Sequence, residues 1–166
     1  MKLIKQAAPG DLEVIHELAH KIWPVAYGDI LSPEQLTYML ELIYSLPALR
    51  HQLMDLKHNF LIVFDEEDPM AFASFSEKAS NSKTYRLHKI YVSSQQQGTG
   101  MGKLLLSHII DSVKSSGGAF LELNVNRHNK ALDFYKKFGF KIIDEEDIDI
   151  GKGYFMNDFI MRLAVE

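Results

Sequence analysis

Cysteine is missing from all 166 residues, which excludes a disulfide frame, a thiol nucleophile and a zinc–thiolate site. Long apolar runs are missing too. No stretch approaches the ~20 residues of a membrane-spanning helix, so no membrane partner is expected. The start, MKLIKQAAPGDLEVIHELA, carries acids early and no apolar block, unlike a signal peptide, and a cytoplasmic protein is the expectation. Positive charge is not in excess. With 18 Lys and Arg against 22 Asp and Glu, the net charge of −4 argues against nucleic acid as a partner and suits a cationic substrate slightly better. No repeat, linker or low-complexity tract interrupts the chain. One domain spanning 1–166, with one substantial core, is therefore expected.

Apolar periodicity supplies the elements. Leu3 to Lys5 read as a short strand. Pro9-Gly10-Asp11 opens a helix whose Leu12, Ile15, Leu18, Ala19 and Ile22 share a face and which ends at Trp23-Pro24. Ser32-Pro33-Glu34-Gln35 is a capping box with proline at the first helical position, and Pro47 starts a shorter helical piece to about Leu56. Phe60–Phe64 and Ala71–Ser76 form a hairpin around an acidic turn, and Leu87–Val92 is a further strand. A helix from Gly102 to about Ser115 stops at Gly117-Gly118. Phe120–Val125, a helix capped by Asn129, and strands at Lys141–Ile150 and Asn157–Val165 complete the chain. The order predicts an α/β fold with a mixed sheet.

The densest chemical signal is Ile90 to Leu106, IYVSSQQQGTGMGKLLL: a strand, a loop with Gly98, Gly100 and Gly102, then a helix start. Free amides and the helix dipole make such a junction a phosphate site, and glycine lets the backbone approach a diphosphate closely. A P-loop fails, because Gly102-Lys103 is followed by Leu104 and Gln97 stands where its first glycine belongs. A dinucleotide fingerprint fails at Lys103. What remains is Q-x-x-G-x-G, Gln97 to Gly102. A second segment follows about 30 residues on, NVNRHNKALDFYKKFGF from Asn124 to Phe140. Asn129 suits a helix cap, Ala131, Leu132, Tyr135 and Phe138 recur at helical spacing, and Gly139 suits a left-handed helix terminus.

Taken together, these two motifs resemble the GNAT acetyltransferase superfamily, in which an Asn, an Ala and F-Y-x-x-x-G-F follow the acetyl-coenzyme A loop. Asn129, Ala131, Phe134, Tyr135, Gly139 and Phe140 match. The resemblance covers almost the whole chain. It implies a mostly antiparallel sheet flanked by helices, with two splayed parallel strands, Leu87–Val92 and Phe120–Val125, between which the pantetheine enters. Acetyl-CoA is the implied cofactor. Backbone groups of Ile90, Tyr91 and Val92 would hold the pantetheine and the thioester oxygen. Gln97, Gly98, Thr99, Gly100, Met101, Gly102 and Lys103 would hold the diphosphate, with Asn129 and Lys130 on the cofactor's other side.

Tyr135 is the implied catalytic residue. A phenol stays protonated at neutral pH and can donate to a departing thiolate. The alternative is that it only positions the sulfur or packs on the pantetheine. Some members of the family use as base a Glu six residues before the position of Val92, where this chain has Arg86. His88 and Glu122 are the alternatives, acting through water, and an amine can also lose its proton to solvent. Trp23, Tyr27, Tyr38 and Phe155 are candidates for the acceptor pocket. His16 and His20 are spaced i, i+4 but lack H-E-x-x-H, so no metal is expected.

The expected function is transfer of an acetyl group to the primary amine of a small molecule, a polyamine or an amino-acid-like compound. The alternatives are a lysine or N-terminal amine of a protein, or an acyl-CoA-binding module without turnover, against which Tyr135 argues. Homodimers are common in the family, and the C-terminal strands could pair between subunits.

Overall fold

Seven strands and five α-helices make up residues 1–165, which the computed structural model describes. The strands are β1 (Lys2–Gln6), β2 (Asn59–Asp65), β3 (Asp68–Glu77), β4 (Thr84–Val92), β5 (Phe120–Asn126), β6 (Lys141–Gly151) and β7 (Tyr154–Ala164). The helices are α1 (Leu12–Tyr27), α2 (Pro33–Tyr44), α3 (Leu46–Met54), α4 (Met101–Ser115) and α5 (Ala131–Phe138). The sheet runs β1-β2-β3-β4-β5-β7-β6. It is antiparallel except for β4 against β5, whose parallel register runs from Thr84↔Phe120 to Leu87↔Leu123. The expected mixed α/β fold with one parallel pair is the fold observed.

Contacts divide the chain into two compact units. The first contains Met1–Ser76 and Lys89–Ile109. In it, α1 buries Ile15, Ala19 and Trp23 while β2 and β3 bury Phe60, Ile62 and Phe72. The start of α2 follows the cap legible in the chain, and α3 opens on a serine cap of the same kind. Ser32 Oγ accepts from the amide of Gln35 at 3.1 Å, and Ser45 Oγ from that of Ala48 at 3.3 Å. The end of α1 differs. α1 does not stop at Trp23-Pro24 but runs on to Tyr27. Proline removes a helical hydrogen bond here. Against that, Trp23 and Tyr27 lie one turn apart, both buried, with ring centroids 4.6 Å apart. Gly28 then closes on Pro24 so tightly that a Cβ would sit 2.5 Å from the Pro24 carbonyl oxygen.

The second unit contains Glu77–His88 and the chain from Ile110 on. There β5 pairs with β7 along its full length, Phe120↔Ala164 to Asn126↔Asp158, while the parallel register with β4 stops at Leu123. The last hairpin is longer than expected: β7 begins at Tyr154, three residues before Asn157. Only Lys152 and Gly153 form its turn, with φ of 55° and 78°. Two such residues match the twist of the flanking strands, so pairing continues to the turn. β4 likewise begins at Thr84, three residues before Leu87. α5 starts at Ala131 and ends at Gly139, which is left-handed with φ 103°.

Candidate active site

The glycine loop leaves β4 at Val92, makes one 3-10 turn over Ser94–Gln96 and enters α4 at Met101. Gly98 and Gly100 take φ of 80° and 83°, which side chains resist. Nothing lies within 4 Å of where a Cβ would stand at either. Thr99 Oγ1 donates to the Gln96 carbonyl at 2.7 Å, and Gln97 Nε2 donates to the Val92 carbonyl at 3.2 Å, so the loop is braced from within. Leu104 N–H donates to Gly100 O at 2.9 Å. The amides of Met101, Gly102 and Lys103 precede that first helical bond. Met101 is buried as the anchor while Lys103 is exposed. Open backbone space, leading amides and a cation suit a diphosphate.

In the same unit, Trp23 and Tyr27 meet Tyr91 of β4. The Tyr27 and Tyr91 hydroxyls hydrogen-bond at 2.8 Å, and the Trp23 ring centroid lies 5.7 Å from that of Tyr91. Trp23 is 3% exposed and Tyr27 8%, so both are packed rather than displayed. Tyr38 is half-buried on α2, and Ile90, Tyr91 and Val92 are half-buried at the end of β4. His16 Nδ1 hydrogen-bonds the Tyr44 carbonyl at 2.6 Å, and His20 Nδ1 that of His16 at 2.8 Å.

In the second unit, Tyr135 is buried on α5, its ring 5.7 Å from Phe140 and 5.5 Å from Phe134. Asn129 Oδ1 accepts from the Ala131 amide at 2.9 Å just before α5, whose cap position is held by the exposed Lys130 without a side-chain cap hydrogen bond. Glu122 is buried between two cations: Lys78 Nζ lies 2.8 Å from Oε1, and Arg162 Nε donates to Oε2 at 2.6 Å. Burial alone would raise its carboxyl, but Lys78 and Arg162 outweigh that and hold it below the usual range. A carboxylate so held is a weak base. His88 is half-buried on β4, and Phe155 lies on strand β7, not in a loop, 49% exposed.

The sequence model of the acetyltransferase (GNAT) domain matches residues 29–154, which include the glycine loop and all of α5. The chain belongs to the GNAT acetyltransferase family. It is similar to the peptidyl-lysine N-acetyltransferase YjaB of Salmonella typhimurium, with 28% identity over 64% of this chain and 72% of that protein. A shorter match, 38% identical over 42% of this chain and 44% of the relative, is to the ribosomal protein bS18-alanine N-acetyltransferase of Haemophilus influenzae. Among solved structures, the PaiA N-acetyltransferase of Thermoplasma acidophilum in complex with coenzyme A is 27% identical. It matches over 99% of both chains with a TM-score of 0.82.

Two groups in this GNAT chain escaped the sequence reading. Lys89 of β4 is buried, its Nζ donating to Gln52 Oε1 at 2.7 Å and lying 5.6 Å from the Tyr44 and Phe60 ring centres. Gln52 in turn donates to the Ile43 carbonyl at 2.9 Å. Burial lowers the Lys89 ammonium to a pKa of about 7. Alternation along β4 was the available signal, since Leu87, Lys89 and Tyr91 share one side of the strand. Asp158 of β7 is 1% exposed. Asn124 Nδ2 donates to its Oδ2 at 3.4 Å, and its Oδ1 has no hydrogen-bond partner. Burial raises the Asp158 carboxyl, against the opposing pull of Asn124, Arg86 and Arg127. Nothing in the sequence marks this aspartate apart from its polar position in an apolar strand. Among the described residues, no helix is long and apolar enough to cross a membrane.

Proposed function

We propose that this chain transfers the acetyl group of acetyl-CoA to a primary amine presented by a peptide, with lysine as the acceptor class. The cofactor part is carried by the near full-length likeness to an N-acetyltransferase bound to coenzyme A. The open amide-lined loop at Gly98 and Gly100 supports it. The acceptor part is carried by the likeness to a peptidyl-lysine N-acetyltransferase. Residues 1–166 act as one acetyltransferase domain in this reading, since β3, β4 and α4 each contribute to both units.

Bound acetyl-CoA supplies an activated acyl group with a thiolate as leaving group. Residues Gln97–Lys103 would hold the diphosphate through backbone amides. The end of β4, Ile90 to Val92, would offer main-chain groups to the pantetheine and the thioester oxygen. By the family resemblance, Asn129 and Lys130 at the start of α5 would be cofactor contacts. Tyr135 would give its phenolic proton to the departing sulfur, as a phenol can. Trp23, Tyr27, Tyr38 and Phe155 remain acceptor-side candidates.

A small polyamine is the second reading, favoured by the acidic edge strand β6, where Asp144, Glu145, Glu146, Asp147 and Asp149 are all exposed and Arg127 pairs with Asp147 at 2.9 Å and with Glu145 at 3.9 Å. Thiol release from acetyl-CoA separates the two. A lysine peptide, a peptide with N-terminal alanine, and spermidine are each supplied over a range of concentrations. The lysine peptide should give the highest kcat/KM. A clear preference for spermidine would replace the peptide reading with the polyamine one.

A further inference from the structure

Asp158 is the one buried carboxylate among the described residues with an oxygen that no hydrogen bond uses. The other buried carboxylate, Glu122, is saturated by Lys78 and Arg162. Leaving a buried polar atom unpaired is costly, so its retention calls for a task. Its location suggests one. Asp158 stands opposite Asn126 of β5, one register step along the same face from Asn124↔Ile160. Asn124, Val125 and Asn126 lie beyond Leu123, the last residue of β5 in register with β4, so the carboxylate sits beside the stretch of β5 that has lost its parallel neighbour. The strand turns polar on this face there, through Asn124 and Asn126.

We propose that Asp158 receives the proton of the acceptor amine. This rests on the acetyltransferase reading above. The alkylammonium donates to the unpaired Oδ1, and the proton passes to the carboxylate. The freed nitrogen lone pair forms the C–N bond to the acyl carbon while the C–S bond breaks. Its electron pair leaves on sulfur, which takes the Tyr135 proton, and the second nitrogen proton returns through water to the tyrosinate. Asp158 then releases its proton to solvent, so the net products are amide, thiol and one proton. The charges that bear on Asp158 fit the task. Asn124 holds Oδ2 and leaves Oδ1 unpaired. Arg86 and Arg127 favour the ionised form, and Glu146 on β6 opposes them. Burial shifts the carboxyl toward greater basicity.

The test is the pH dependence of kcat/KM for Asp158→Asn, with the lysine peptide, spermidine and plain butylamine as acceptors. Wild type should level off toward neutral pH, because the carboxylate accepts from the ammonium. The variant should fall at least about 100-fold at pH 7 and keep rising by one logarithm per pH unit toward the amine's own pKa. Its thermal shift with acetyl-CoA should be retained. A loss of rate with an unchanged profile would mark a structural role and overturn the assignment, as would a rate within threefold of wild type. Should Asp158→Asn not fold, Asn124→Ala decides. Loss of its hydrogen bond must move the acid limb to higher pH, and an unmoved limb overturns the proposal. Turnover of butylamine or spermidine without the peptide would sink the peptide reading alone, since the comparison is then made on that amine. If wild type accepts no amine, Asp158 has no proton to receive and the proposal falls.

Discussion

An ammonium enclosed by Tyr44, Phe60 and one amide is the least ordinary residue-scale feature of the chain. Lys89 ionises near pH 7 in the fold and near 10.4 when unfolded. Between those values the unfolded chain binds more protons, so stability rises as pH rises from about 7 toward 10 and is lowest below 7. Lys89→Met fills similar volume without the charge. Its unfolding free energy should vary less with pH across 7 to 9.5 than that of wild type, by roughly 1 kcal/mol per pH unit. The variant leaves Gln52 Oε1 without its donor, so part of the gain at pH 7 is returned. Denaturant melts at three pH values check this, and parallel curves for the two proteins would refute it. Tyr135 is the matching test on the chemical side. Tyr135→Phe keeps the ring contacts with Phe134 and Phe140. If the phenol donates to sulfur, kcat should fall about 100-fold with little change in KM for acetyl-CoA. An unchanged kcat would leave it a packing role only.

Among the elements, the glycine loop separates folding from binding. Gly98→Ala meets no neighbour within 4 Å but must hold φ near 80°, a strain of about 1–2 kcal/mol in a loop. The expected result is a melting temperature lower by a few degrees and a KM for acetyl-CoA raised about tenfold or more, from a Cβ placed where the diphosphate approaches. An equal KM would remove the loop from the cofactor site. This loop was legible in the sequence because its chemistry is local: glycine spacing, a strand before it and a helix after it. The Ser32 cap and the Gly139 terminus were legible for the same reason. The extension of α1 past Pro24 was not, because it depends on Trp23 and Tyr27 packing with Tyr91, 64 residues beyond Tyr27. Thr84 to Arg86 and Tyr154 to Met156 became strand through pairing partners, not through their own alternation. Glu122 read as a candidate base from its strand, whereas its partners Lys78 and Arg162 lie 44 and 40 residues away. Asp158 was hidden in the same way, its burial fixed by register and not by neighbours in the chain.

For the whole molecule, the absence of cysteine leaves stability to burial and hydrogen bonding, and to whatever the chain binds. A ligand that binds only the folded state adds about 2.7 kcal/mol at one hundred times its Kd. For a chain of this length each kcal/mol moves the midpoint by roughly 2–4 °C, so saturating acetyl-CoA should raise it by about 5–10 °C. Because β3, β4 and α4 each belong to both compact units, the chain should melt in one transition, and acetyl-CoA should move that transition as a whole. Scanning calorimetry with and without acetyl-CoA reads both quantities, the number of transitions and the shift. Coenzyme A should produce most of the shift, because the diphosphate and pantetheine contacts do not involve the acetyl group. Gly98→Ala should reduce it, and Tyr135→Phe should leave it near the wild-type value. Two transitions, with acetyl-CoA moving only the one that reports residues Lys89–Ile109, would mean that the cofactor is held by the loop unit alone and that α5 takes no part in binding it.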